Sequence, residues 1–125
     1  MKRLAPLLAL AATACATAVA PSPAPLPAGY RAIGTEPFWD LQFGRTLVFT
    51  DRGNDLSVTE PAPPAVMSGT ARIYRGRRLA VTITPAPCSD GMSDRIYPDS
   101  VTLSVDGRAY RGCGAPAAFF ARTAP

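Results

Sequence analysis

Histidine is absent from this 125-residue chain. With it go the commonest general base and the commonest ligand for transition metals. Lysine occurs once, at Lys2, and tryptophan once, at Trp39. The apolar run Leu4 to Ala12 is too short to span a bilayer as a permanent helix, which takes about 20 residues. No long stretch repeats apolar residues with a helical period and no segment repeats another, which argues against helical bundles and solenoids. A large excess of positive charge is also missing. If Lys2 and Arg3 are removed with a leader, eleven arginines face nine acids, a net charge of +2. That is too small to indicate nucleic-acid binding.

The first thirty residues carry an address. Met1-Lys2-Arg3 is a short basic start, Leu4 to Ala12 an apolar core, and Ala12 and Ala14 are the small residues of a cleavage site before Cys15. Residues 1–14 thus read as the signal peptide of a bacterial lipoprotein with Cys15 as its lipidated residue, although Ala12 stands where Leu is usual. The lipid makes the membrane a partner on the periplasmic side. Ala16 is not an acidic retention signal, which points to the outer membrane. Ordinary cleavage would instead leave a soluble periplasmic protein. Residues 15–29 read as a lipid-anchored Pro/Ala-rich tether. Its alternating prolines at Pro21, Pro23, Pro25 and Pro27 favour an extended polyproline II chain of about 20 Å.

Residues 30–125 form one small domain by length. Segments around Phe38–Phe43, Thr46–Thr50, Leu56–Val58, Val66–Tyr74, Leu79–Thr84, Val101–Val105 and Arg108–Cys113 read as strands. Asp106-Gly107 is a favoured hairpin turn. Glu60 to Pro64 reads as a loop, and Ala117–Phe120 as a last strand or a short helix. The expected fold is all-β, a small antiparallel barrel or sandwich of seven to eight strands. One disulfide, Cys88–Cys113, suits an oxidising compartment. The basic residues Arg72, Arg75, Arg77 and Arg78 read as a solvated strand edge, or alternatively as a patch for anionic lipid or glycan.

Two blocks are more constrained than strands require. In Gly34-Thr35-Glu36-Pro37-Phe38-Trp39, Pro37 holds Glu36 out of the helical region. Trp39 there is either a core residue or a stacking surface. The second block, Cys88-Ser89-Asp90-Gly91-Met92-Ser93-Asp94-Arg95-Ile96-Tyr97-Pro98, is rich in turn formers. A polar loop stapled by a disulfide is a reasonable binding surface. The candidate binding residues are therefore Glu36, Trp39, Asp90, Met92, Ser93, Asp94, Arg95 and Tyr97. Ser93 lacks the downstream glycine and the histidine partner of a nucleophile elbow. Asp90 and Asp94 lack the ligand density of a calcium loop. No metal, catalytic residue or cofactor is expected.

These blocks, with Gly112-Cys113, resemble a family of small bacterial envelope proteins known mainly as lipoproteins. The resemblance runs from about Tyr30 to Gly114 and implies an envelope location but no particular activity. More distantly the chain resembles META-domain lipoproteins and c-type lysozyme inhibitors, the latter through Ser68-Gly69 and Tyr74. The expected function is non-enzymatic: binding a periplasmic protein or glycan, or supporting envelope maintenance. The alternatives are inhibition of a cell-wall hydrolase such as c-type lysozyme, and a hydrolase using paired carboxylates.

Overall fold

Alternation of apolar and polar residues dictates the architecture. A computed structural model describes residues 29–122. The segments expected to be a signal peptide and a tether (up to residue 28), with Cys15, lie outside the described residues. Nine strands are formed: β1 (Tyr30–Gly34), β2 (Trp39–Phe43), β3 (Thr46–Asp51), β4 (Leu56–Pro61), β5 (Ala65–Ser68), β6 (Ala71–Arg75), β7 (Leu79–Ser89), β8 (Ile96–Val105) and β9 (Arg108–Pro116). All neighbours are antiparallel, in the order β4-β3-β2-β1-β9-β8-β7-β6-β5, and the sheet curls into a half-barrel. Every second residue of most strands points inward. Leu41, Leu47, Phe49, Val58, Leu79, Val81 and Val101 are almost fully buried in one core. Burial of this set is the main stabilising contribution.

The strand count exceeds the expected seven to eight for local reasons. Tyr30–Gly34 pairs with both β2 and β9. Val66–Tyr74 is broken at Gly69, whose φ of 59° makes a turn between β5 and β6. Glu60 and Pro61 continue β4 instead of forming a loop. The tail after β9 is a five-residue helix, α1 (Ala117–Ala121). The Asp106-Gly107 turn forms as expected, with φ of 51° and 84°, the pattern of a type I′ hairpin.

Two features shape the outer surface. The β7–β8 hairpin is longer than its neighbours, and its register slips between Pro85 and Cys88, where Pro85 and Pro87 supply no N–H donors. Beyond the slip, the hairpin tip is tied to β9 by the Cys88–Cys113 disulfide, with Cα atoms 5.6 Å apart. Tyr97, Cys113 and Ala115 form a second buried cluster there, against Ile33, Phe119 and Phe120. At the open edge of the sheet, Glu60 on β4 accepts hydrogen bonds from the backbone N–H groups of Arg78 (2.6 Å) and Leu79 (3.0 Å). This carboxylate bridges the gap that strand pairing leaves.

Candidate functional site

The two constrained blocks meet. Thr35, in the turn just after β1, donates its hydroxyl to the Asp90 carbonyl oxygen at 2.9 Å, across 55 residues of sequence. The contact is possible because Ile33 pairs with Cys113 and the disulfide brings Cys88 to the same place. Around it lies a cleft of about 290 Å³ lined by Thr35, Ser89, Asp90, Ser100, Arg111 and Gly112, among others. A second cleft of about 250 Å³ shares Ile33, Gly34 and Thr35 with the first. It extends past Phe38, which is 58% exposed, to Thr50 and Arg52.

Asp90 organises the loop. Its Oδ1 accepts the backbone N–H groups of Met92 (2.9 Å) and Ser93 (2.8 Å). Its Oδ2 accepts the hydroxyls of Ser93 (2.9 Å) and Tyr97 (3.0 Å). Gly91 takes the φ of 75° that the turn needs. The Ser93 and Met92 amides, helped by the two hydroxyls, hold the Asp90 carboxyl down at about 2. Burial, and next the adjacent Asp90, push the Tyr97 phenol up. Asp90 thus stays ionised at neutral pH and cannot serve there as a general acid.

The other candidate residues have separate places. Met92 is 70% exposed, and Asp94 and Glu36 are also exposed. Glu36 sits in the left-handed region with φ of 59°, before a cis bond to Pro37. Ser93 is fixed by Asp90 and accepts from the Arg95 amide. Arg95 turns to the tail: its guanidinium donates to the carbonyls of Phe119 (2.8 Å) and Arg122 (2.6 Å) and lies 4.7 Å from the Phe119 ring centroid. Tyr97 is buried against Phe119 and Phe120. Both residues secure the loop and α1.

Trp39 is a core residue, 4% exposed. Its indole Nε1 donates to the Arg111 carbonyl at 3.1 Å, and its ring packs on Phe49 and Tyr110. Gly34 and Gly112 leave room for it, since a Cβ on either would overlap its neighbours. Tyr74 is likewise buried, edge-on to Phe43, and is not displayed beside the Ser68-Gly69 turn. Sequence reasoning passed over Thr35, Ser100, Arg111 and Phe38. Thr35 and Phe38 stood inside a constrained block, whereas nothing local marks Ser100 or Arg111. It also passed over the buried acid Asp51, which is held below the usual carboxylate range, first by the Asn54 side chain and then by Tyr110. Among the described residues, no three acids, cysteines or histidines cluster as metal ligands. No family model, curated protein or solved structure matches this chain.

Proposed function

We propose that this chain is a non-catalytic binding module of the bacterial envelope, held on the periplasmic side by a lipid on Cys15, with its partner engaged at the cleft around Thr35. The observation that supports this most is the Thr35–Asp90 bond. It joins two sequence blocks at one concave surface whose loop is already ordered by Asp90, the disulfide and Arg95. A pre-ordered loop loses little freedom on binding. The Asp90 carboxylate has four donors and a depressed pKa, which suits scaffolding better than proton transfer. The hydroxyls of Ser89 and Ser100 in the cleft, exposed Phe38 on the adjoining cleft and exposed Met92 on the loop that follows Asp90 then supply contacts to a periplasmic protein or glycan.

The test is capture from envelope extract with the full chain as bait, followed by titration of the purified partner. Met92→Ala and Phe38→Ala should weaken that titration while leaving the melting temperature unchanged. Undiminished binding by both variants refutes the cleft as the site. Mass spectrometry of the mature N-terminus tests the anchor: an unmodified start, or one beyond Cys15, removes the lipid from the proposal. A direct lysozyme assay separates this reading from hydrolase inhibition.

A further inference from the structure

The arginines between Arg72 and Arg78 do not belong to the cleft. As a strand edge they would discourage aggregation. The structure corrects that reading: β6 lies between β5 and β7, and Arg77 and Arg78 occupy the turn after it. Their charge guards no edge.

This turn is unusually well fixed. The Gly76 N–H donates to the Leu79 carbonyl at 2.7 Å, and the N–H groups of Arg78 and Leu79 are taken by Glu60. A side chain at Gly76 would overlap Glu60 Oε2, so glycine is what lets the carboxylate approach. Glu60 is 7% exposed and turned onto the backbone. Asp106 engages Arg78 through two bonds, from Nε at 2.9 Å and Nη2 at 2.7 Å. Both acids beside the turn are therefore occupied. Arg75 and Arg77 are exposed, and no carboxylate of the described residues bonds to either. With Thr59 they stand on a groove of about 610 Å³ walled by Pro61 and Pro63.

We propose that this groove is a phosphate-binding site in which the guanidinium groups of Arg75 and Arg77 grip the phosphate of an anionic ligand. Guanidinium presents paired donors in a plane that match two phosphate oxygens, which an ammonium cannot do. The fixed turn reduces the ordering that binding requires. The phosphate can belong to a lipid headgroup or to a soluble phosphate-bearing compound. The site is independent of the cleft around Thr35.

The experiment uses the full chain with two probes: calorimetry with inorganic pyrophosphate, and co-sedimentation with phosphatidylglycerol vesicles against phosphatidylcholine vesicles. The parent is compared with Arg75→Gln/Arg77→Gln and Arg75→Lys/Arg77→Lys. All three proteins share one N-terminus, so differences between them report on the groove. The glutamine variant should lose about tenfold or more in affinity for at least one probe, the equivalent of one charge-assisted hydrogen bond. The lysine variant should lose a similar factor because it keeps the charge without the fork. Pyrophosphate binding alone assigns a soluble ligand. A preference for phosphatidylglycerol over phosphatidylcholine, removed in the variants, assigns a headgroup. No binding of either probe by the parent, unchanged affinity in the glutamine variant, or full retention by the lysine variant overturns the proposal. Melting temperatures confirm that the variants are folded, and Met92→Ala, which tests the cleft, should leave both probes unaffected.

Discussion

Removing the Glu60 carboxylate should open the half-barrel, and the cost can be worked out from its two bonds. Its Oε2 accepts from the N–H of Leu79, a residue 1% exposed, so water cannot replace that partner. An N–H left unsatisfied in such a position costs about 2 kcal/mol. Its Oε1 accepts from the N–H of Arg78, an exposed residue whose amide can recruit water, and that loss is about 1 kcal/mol. Glu60→Ala should therefore destabilise the domain by about 3 kcal/mol. In urea that lowers the midpoint by roughly 1–3 M, for the m-values usual in small domains. Glu60→Gln should recover only part of this, because one end of the amide is a donor facing a second donor. A double-mutant cycle sharpens the test. Gly76→Ala drives a Cβ into Glu60 Oε2 in the parent, whereas in Glu60→Ala the remaining close contact is the Leu79 carbonyl oxygen at 3.1 Å. The second substitution should thus be less harmful in the absence of the carboxylate. A Glu60→Ala variant within about 1 kcal/mol of the parent, less than one net charge-assisted bond, would refute the closure. So would an equal cost of Gly76→Ala in both backgrounds.

Three further outcomes follow from the same geometry. The Asp90 pKa is depressed in the folded state, so its stabilising effect is complete above the ordinary carboxylate value near 4 and disappears as pH falls through about 2. Carboxyl NMR should find that low midpoint, and one near 4 contradicts the network; solvent screening keeps the associated stability to about 1 kcal/mol or less. Gly112→Ala places a Cβ against the Ile33 carbonyl oxygen and 2.7 Å from Trp39 Cζ2, so β1 and β9 must part at a cost of several kcal/mol; a melting temperature within a few degrees of the parent would be inconsistent with this. Cys88→Ala/Cys113→Ala removes a cross-link over a sequence separation of 25, about 3.5 kcal/mol on loop-entropy grounds. Hydrogen exchange should then speed up at the β7–β8 tip first, and uniform protection would argue against the staple.

Strands that alternate cleanly were legible in the sequence. Val101 to Val105 and Leu79 to Thr84 carry large apolar residues at every second position, and Asp106-Gly107 announces its own turn. β1 was hidden because two of its three buried positions are Ala32 and Gly34, too small to produce a pattern. The continuation of β7 was hidden by Pro85 and Pro87, which normally end a strand and here accompany a slip in register. At the site, the cysteines carried the long-range information: one covalent pair predicts that the loop lies against β9. The partner on the other side, Thr35, had no such marker, since a hydroxyl bonding a carbonyl 55 residues away leaves no local trace. Asp51 and Glu60 escaped notice because acids are ordinarily at the surface, and only the three-dimensional structure shows the donors that hold them inside.

The distribution of those acids bears on function. Of the nine acids, Asp51, Glu60 and Asp90 accept backbone N–H groups at turns, and Asp99 accepts the Tyr30 hydroxyl. Asp40 and Asp106 pair with Arg31 and Arg78. Asp51, Asp90 and Asp106 are all held below the usual carboxylate range, Asp51 chiefly by Asn54, Asp90 by loop amides and Asp106 by Arg78. Those three are ionised at neutral pH and have no proton to give. Glu36, Asp55 and Asp94 remain, on three different turns. A paired-carboxylate hydrolase needs two acids whose surroundings push their pKa values apart at one cleft, and fixing acids onto turn amides works against that. With Glu60 turned onto backbone amides and Asp106 paired with Arg78, Arg75 and Arg77 at the β6–β7 turn have no bonded carboxylate among the described residues. Six of the nine carboxylates thus brace the fold, and the exposed guanidinium, hydroxyl and apolar side chains support the proposed recognition of a ligand.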